Sequence, residues 1–350
     1  MTDPEPDGGP SRVSSSPRRS PVDDATLALL VEVAGTPKPG NVDRVRDLDD
    51  LRFESFLGGA VGAREGLERA ARDEPVGVAF ERSVAGMADR AGTNTQFGCL
   101  LLLVPLLKAT AASDSTAPAD ATVPDDCSRA GVDRVTRETT VDDAVAFYTA
   151  FEHVDVAVGE PPADAAELDV RRGGGAEPTL RERGLTLRDV MALGAGPERT
   201  SGDPRTGAAA DRVPDRNAQE WVEGFPRTFR AADWILHDEG PAADRAARAF
   251  IKLLAEEPDT LVATTHDPSV AREASRRAGA LIDDDVDGPG TGSGRTVDGS
   301  DVPLADRVDL AAAESLADEF VAEGINPGTT ADLTCAALYV ALRRGLEVRS

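Results

Sequence analysis

Apolar residues recur along this chain at helical rather than strand spacing. Leu27, Leu30, Val31 and Ala34 follow Asp24 at intervals of three and four and stop at Gly35, which predicts a first helix. Phe53, Phe56, Leu57, Ala60, Val61 and Leu67 repeat that spacing while Arg52, Glu54, Arg64, Glu65 and Glu68 fall opposite, so a second, amphipathic helix is expected. Residues 76–88 form a third. Residues 95–111 are apolar all round, as a helix enclosed by others should be, and this segment is expected to centre a bundle. Helical patterns return over residues 142–158, 217–237, 241–256, 268–282, 305–323 and 331–345, with a short helix around 185–193. Pro118 and Pro124 mark a loop, and glycines and prolines between 160 and 216 predict a loop-rich excursion. No strand-helix-strand alternation and no internal repeat is found. The predicted class is all-α, a multi-helix bundle with a central buried helix and long loops. The predicted organisation is a disordered arm over 1–21, then one helical catalytic domain over 22–350, with the insertion at 160–216 and an acidic, glycine-rich linker at 283–303.

Composition changes the picture in one respect, charge. The 350 residues carry a formal net charge of -25, and the only lysines are Lys38, Lys108 and Lys252. Abundant carboxylate with scarce lysine implies the cytoplasm of a salt-adapted cell. It argues against sequence-independent binding of nucleic acid or anionic membrane, which needs clustered cations. The longest apolar run, from Cys99 to Leu107, is broken by Pro105 and is far shorter than the roughly 20 residues of a membrane span. Cys99, Cys127 and Cys335 form no CxxC pair and read as small buried hydrophobes. His153, His237 and His266 stand singly, which assembles neither a zinc site nor a triad. Asp283, Asp285, Asp287 and Gly288 begin like a calcium loop, but Gly294 stands where the bidentate glutamate belongs, so a solvated linker is the favoured reading.

Three turns combine special backbone residues with helix starts. In the first, Thr36 to Arg44, Pro37 and Pro39 stiffen the chain around Lys38, whose ammonium could face an anion; Gly40 and Asn41 follow, then Asp43. A plain helix-to-helix turn explains the same residues. In the second, Gly92 to Gly98, Asn94 and Thr95 open the apolar helix, where free N–H groups favour phosphate oxygens, or where Thr93 or Asn94 simply caps. The third, Asn326 to Asp332, leads through Gly328, Thr329 and Thr330 into another apolar helix. There Thr330 can cap, and Asp332 in the first turn can complement the dipole or bind a metal.

These turns carry a resemblance. Pro37-Lys38-Pro39-Gly40 with Val42-Asp43-Arg44, Asn94-Thr95 with Gly98, Gly224-Phe225-Pro226, Asp259-Thr260, and Pro327-Gly328 with Ala331-Asp332-Leu333 occur in the order seen in triphosphoribosyl-dephospho-CoA synthases. The chain resembles that family over residues 24 to 345. It departs from the family pattern in several places. No histidine lies between Val45 and Ala60, Gln96 and Phe97 replace a His-Lys pair, Leu261 and later His266-Asp267 stand in place of Asn and an Arg-Gly-Gly element, and Thr329 and Thr330 replace Gly and Ser. The resemblance implies an all-helical transferase that moves the triphosphoribosyl group of ATP onto the ribose 2′-hydroxyl of dephospho-CoA and releases adenine. It implies ATP as substrate with Mg²⁺ as its companion ion, and small-molecule nucleotides as partners, with a homodimer as a further option. On that basis Asp43, Asp259 and Asp332 are the expected acid, base or nucleophile-side carboxylates, and Asp259 and Asp332 the expected metal ligands. Lys38, Gly40, Asn41, Asn94, Thr95, Gly328, Thr329 and Thr330 are the expected phosphate and ATP contacts. A related nucleotide-dependent transferase or hydrolase, or a non-catalytic nucleotide-binding protein, is the alternative.

Overall fold

The sixteen α-helices of the described residues follow from the periodicity, with boundaries set by caps. The structure is a computed structural model describing residues 19–114, 127–159, 161, 163–196, 213–283 and 303–348. In chain order the helices are α1 (Pro21–Ala34), α2 (Phe53–Gly62), α3 (Arg64–Ala71), α4 (Val76–Ala91), α5 (Phe97–Asp114), α6 (Arg129–Arg137), α7 (Val141–Ala150), α8 (Glu177–Arg183), α9 (Leu187–Ala195), α10 (Arg216–Glu223), α11 (Pro226–His237), α12 (Ala242–Glu256), α13 (Thr260–Thr265), α14 (Pro268–Gly279), α15 (Leu310–Glu323) and α16 (Gly328–Arg343). The described residues hold no strand beyond a single bridge between Ile282 and Val308. No described helix is long and apolar enough to cross a membrane. Most of the expected N-terminal arm, the linker over 284–302 with its calcium-like Asp285, Asp287 and Gly288, and part of the 160–216 segment lie outside the described residues.

The expected central helix is present as α5, but it shares the centre. Nearly every side chain of α16 is buried, and α16 packs against α1, α5, α11 and α12. Pro105 sits inside α5 and cannot donate to the carbonyl one turn back. The Trp221 indole N–H supplies that bond instead, 3.2 Å from the Leu101 oxygen. Three expectations are corrected. The single helix over 53–67 is two, α2 and α3, meeting at Ala63; both lie on α4, where Gly62 and Gly86 touch so closely that a Cβ at either would fall within 2.2 Å of the other's carbonyl oxygen. The loop-rich segment contains α8 besides the short helix expected there, α9, which is started by a Thr186–Asp189 capping box. Helices α6 and α13 were not anticipated.

The bundle's packing brings the three turns together. A small cluster of Val33, Val42 and Phe56 pins the first turn against α1 and α2. At the far side, Arg343 near the end of α16 donates to Asp24 of α1 at 3.1 Å, and Arg19 donates to the Leu342 carbonyl at 2.7 Å. Helix α1 therefore lies along α16, and the turn that follows α1 meets the turn that precedes α16.

Candidate active site

The first turn is organised by Asp43, which is 0 % exposed. Its Oδ2 accepts from the Thr36 hydroxyl at 2.7 Å, the Lys38 backbone N–H at 3.2 Å and the Arg46 guanidinium at 3.3 Å. Its Oδ1 accepts from the backbone N–H groups of Val45 and Arg46, each at 2.8 Å. Lys38 points inward and is also 0 % exposed. Its ammonium pairs with Glu32 of α1 and donates to Asn41 Oδ1 at 2.9 Å. Burial pushes the Glu32 carboxyl up, and Lys38 opposes the shift. Lys38 was expected to present its charge to phosphate; here its ammonium faces an internal carboxylate.

From Lys38 the contacts run straight to the third turn. Asn41 Nδ2 donates to Asn326 Oδ1 at 2.8 Å. Gly40 adopts a left-handed φ of +76°, and a Cβ there would lie 2.0 Å from the Ile325 carbonyl oxygen, so the two turns touch backbone to backbone only because glycine stands there. Pro327, not Thr330, occupies the N-cap of α16. Thr330 instead donates both its backbone N–H and its hydroxyl to Asp259 Oδ2, each at 2.7 Å. The other oxygen of Asp259 accepts from the N–H groups of Leu261 and Val262 at 2.8 and 3.1 Å. Asp259 therefore caps α13 and ties it to α16. Gly328 spends its N–H on the Asn326 carbonyl at 2.9 Å.

The second turn completes the arrangement. Asn94 Oδ1 accepts from the Phe97 N–H at 3.2 Å, the capping alternative. One turn into α16, beyond its first four residues, Asp332 meets the start of α5. Its Oδ1 accepts from the Cys99 thiol at 3.3 Å and its Oδ2 from the Asn217 amide of α10 at 2.8 Å. A Cβ on Gly98 would fall 1.9 Å from Asp332 Oδ2, so the carboxylate rests directly on that glycine. Burial pushes the Asp332 carboxyl up to about 7, with Asp259 and Glu32 adding to the shift and the Asn217 and Cys99 donors opposing it. The Cys99 thiol is itself pushed up by its hydrogen bond with Cys335 and by burial.

Of the three carboxylates expected to do chemistry, Asp43 and Asp259 have two or more donors on each oxygen and hold the turns in shape. Asp332 has one donor per oxygen and is half-buried rather than enclosed. Asp259 thus offers no vacant lone pair to a metal, and the described residues contain no group of three His, Cys, Asp or Glu able to hold one. Glu32, Cys99 and Asn217 were missed from sequence. Glu32 had a signal, a carboxylate between Val31 and Val33 on an apolar helix; Asn217 had none. Thr95 Oγ1, Gln96 Oε1 and Asn217 Oδ1 are buried without a hydrogen-bond partner among the described residues, which leaves three polar atoms of the second turn and α10 for a bound molecule or water. Gly98→Ala is expected to displace the Asp332 carboxylate and lower kcat roughly 10²-fold, with an unchanged far-ultraviolet dichroism spectrum; wild-type kcat would refute the contact.

The first turn thus touches the third, and the third carries Asp332 onto the second, inside an all-helical bundle. The sequence profile of the ATP:dephospho-CoA triphosphoribosyl transferase family matches residues 18–349, and the chain belongs to that family. It is a transferase that moves the triphosphoribosyl group of ATP to dephospho-CoA. The fold is similar to that of a protein from Archaeoglobus fulgidus assigned as a triphosphoribosyl-dephospho-CoA synthase, with a TM-score of 0.56 and 21% identity over 85% of this chain and 100% of that one. No curated protein matches the chain.

Proposed function

We propose that Asp332 is the general base of this transfer. It takes the proton of the acceptor's ribose 2′-hydroxyl as that oxygen bonds to the anomeric carbon of ATP. The bond from that carbon to adenine breaks, and its electron pair leaves with the base. The proton removed from the hydroxyl equals the one adenine needs, so a carboxyl near 7 can both accept and return it. A carboxylate beside the anomeric carbon also opposes the positive charge of an oxocarbenium-like transition state. The observation that supports the reading is the position of Asp332, with one donor on each oxygen, between the second turn's Gly98, the start of α5 and α10.

Asn94 and Thr95, with Gln96 beside them, are proposed to position the nucleotides through the second turn's unsatisfied atoms. The triphosphate is proposed to lie toward Arg216, Arg227 and Arg230, which line a small recess with Thr329, Thr330, Asp259 and their own partners Glu256 and Glu257, instead of at Lys38; phosphate there would have to compete with those two carboxylates. Gly40, Asn41 and Gly328 then shape the turns. The site's own donors do not fit a resident Mg²⁺ cage; such an ion would keep ATP's phosphates and water as its ligands.

The test is adenine release from ATP, followed by chromatography in molar salt, with and without dephospho-CoA. Adenine is expected only with the acceptor, in equal amount to the coupled product. Release without acceptor would make the protein a hydrolase, and no release in either case would end the proposal.

A further inference from the structure

A cavity of about 550 Å³ lies between α7, α9, α10 and α13, within the size range of small-molecule sites. Phe147, Tyr148 and Phe151 of α7 and its C-terminal edge, with Met191 of α9, form much of its wall, and Ala218 and Thr260 close one side. Among the described residues, no Lys, Arg or His lines it. Its charged lining groups are the carboxylates of Asp169 and Asp215, each the N-cap of a helical segment. With no cation among its described lining residues, and with Asp169 paired to Arg171 at 2.8 Å, such a wall is poorly suited to a triphosphate or a pyrophosphate. It suits a flat, neutral heterocycle, whose faces meet aromatic rings and thioether while an amino group meets acceptor oxygens.

Asp332 does not line the cavity, but residues beside its neighbours do. Ala218 follows Asn217, whose amide donates to Asp332 Oδ2 at 2.8 Å, and Thr260 follows Asp259. On the other side the rings of Phe151 and Phe147 lie 4.8 and 6.5 Å from that of Phe97, the residue before the glycine on which Asp332 rests. Reaction chemistry places two purines close to the base. One is bonded to the carbon under attack, and the other to the carbon next to the one bearing the acceptor hydroxyl. The geometry points to this cavity as the seat of an adenine ring, either the leaving base of ATP or the base of the acceptor. The inference rests on the assignment of Asp332 as base.

Thr264→Trp tests it, because Thr264 lines the cavity from α13 and is only half-buried, so the indole can enter without opening the core. Phe151→Leu, which removes one ring face, is the second variant, and thermal melts confirm that both fold. Calorimetric titration with free adenine is expected to show binding to the wild type and at least tenfold weaker binding to Thr264→Trp. In steady-state assays the KM of one nucleotide should rise tenfold or more, with the other within twofold. A rise for ATP identifies the leaving base, and a rise for dephospho-CoA identifies the acceptor's. Adenine that binds wild type and both variants alike, or fails to bind at all, overturns the assignment, as does an equal change in both KM values. A protein that loses adenine affinity on Thr264→Trp but catalyses no transfer keeps the pocket and removes the base.

Discussion

Asp332→Asn lowers kcat by about 10² to 10⁴, the span expected for loss of a positioned base, while the protein becomes more stable at pH 8. The two effects share a cause. The fold holds this carboxyl at about 7, above its ordinary range, because burial and the neighbouring Asp259 and Glu32 disfavour the anion. A group raised in the folded state contributes stability that is complete below its unfolded value, near 4, and is lost as pH rises through about 7. At pH 8 the wild type therefore carries the ionised, disfavoured form, whereas the amide of the variant carries no charge. The gain is roughly 1–3 kcal/mol at pH 8, narrowing toward pH 5. In the wild type kcat rises with pH through about 7 and then levels, and in the variant this limb is absent. Urea unfolding at pH 5 and 8 with a pH–rate profile measures all of this. A variant that keeps the rising limb, or that is less stable at pH 8 than at pH 5 relative to wild type, would show that the carboxylate is not the titrating group.

Lys38→Met carries the second large effect, a loss of about 3–5 kcal/mol, because it leaves the Glu32 carboxyl buried without its counter-charge. The double variant Glu32→Leu with Lys38→Met removes both charges and is expected to recover most of that loss, since a well-packed apolar pair is often as stable as a buried ion pair. The double variant also separates an internal strut from a phosphate ligand. As a strut, Lys38 can be replaced with the KM for ATP held within threefold. If stability returns while that KM rises a hundredfold, the ammonium reaches phosphate during turnover and the structural assignment fails.

Helix content was legible because burial imposes a period on the sequence, as the stripe on α1 and the all-apolar α5 show. The proximity of the three turns was legible only through family resemblance, since nothing local in Asn41 encodes a bond to Asn326, 285 positions away. Residue types were informative and their tasks were not. Asp43, Asp259 and Asp332 look alike in a string of letters, yet two are saturated by backbone donors and one is held on a glycine by a thiol and an amide. Lysine scarcity singles out Lys38, but burial, which depends on tertiary packing, decides which way its charge faces. Short helices such as α6 and α13 escaped because they make few turns and are stabilised by capping and contacts more than by pattern. Capping boxes at Thr140–Asp143 and Thr186–Asp189 were readable signals for α7 and α9.

Helix α1, first in the described chain, lies along α16, the last, and this sets an order on biosynthesis. A nascent polypeptide that still lacks residues 328–343 has no Asp332, no support for α1 and α5 on one side, and no Thr330 for Asp259 to hold. Closing contacts across so many residues carries the loop entropy of nearly the whole polymer. Residues 328–343 must therefore emerge before the third turn can join the others, and a product cut short ahead of them is expected to lack the proposed site.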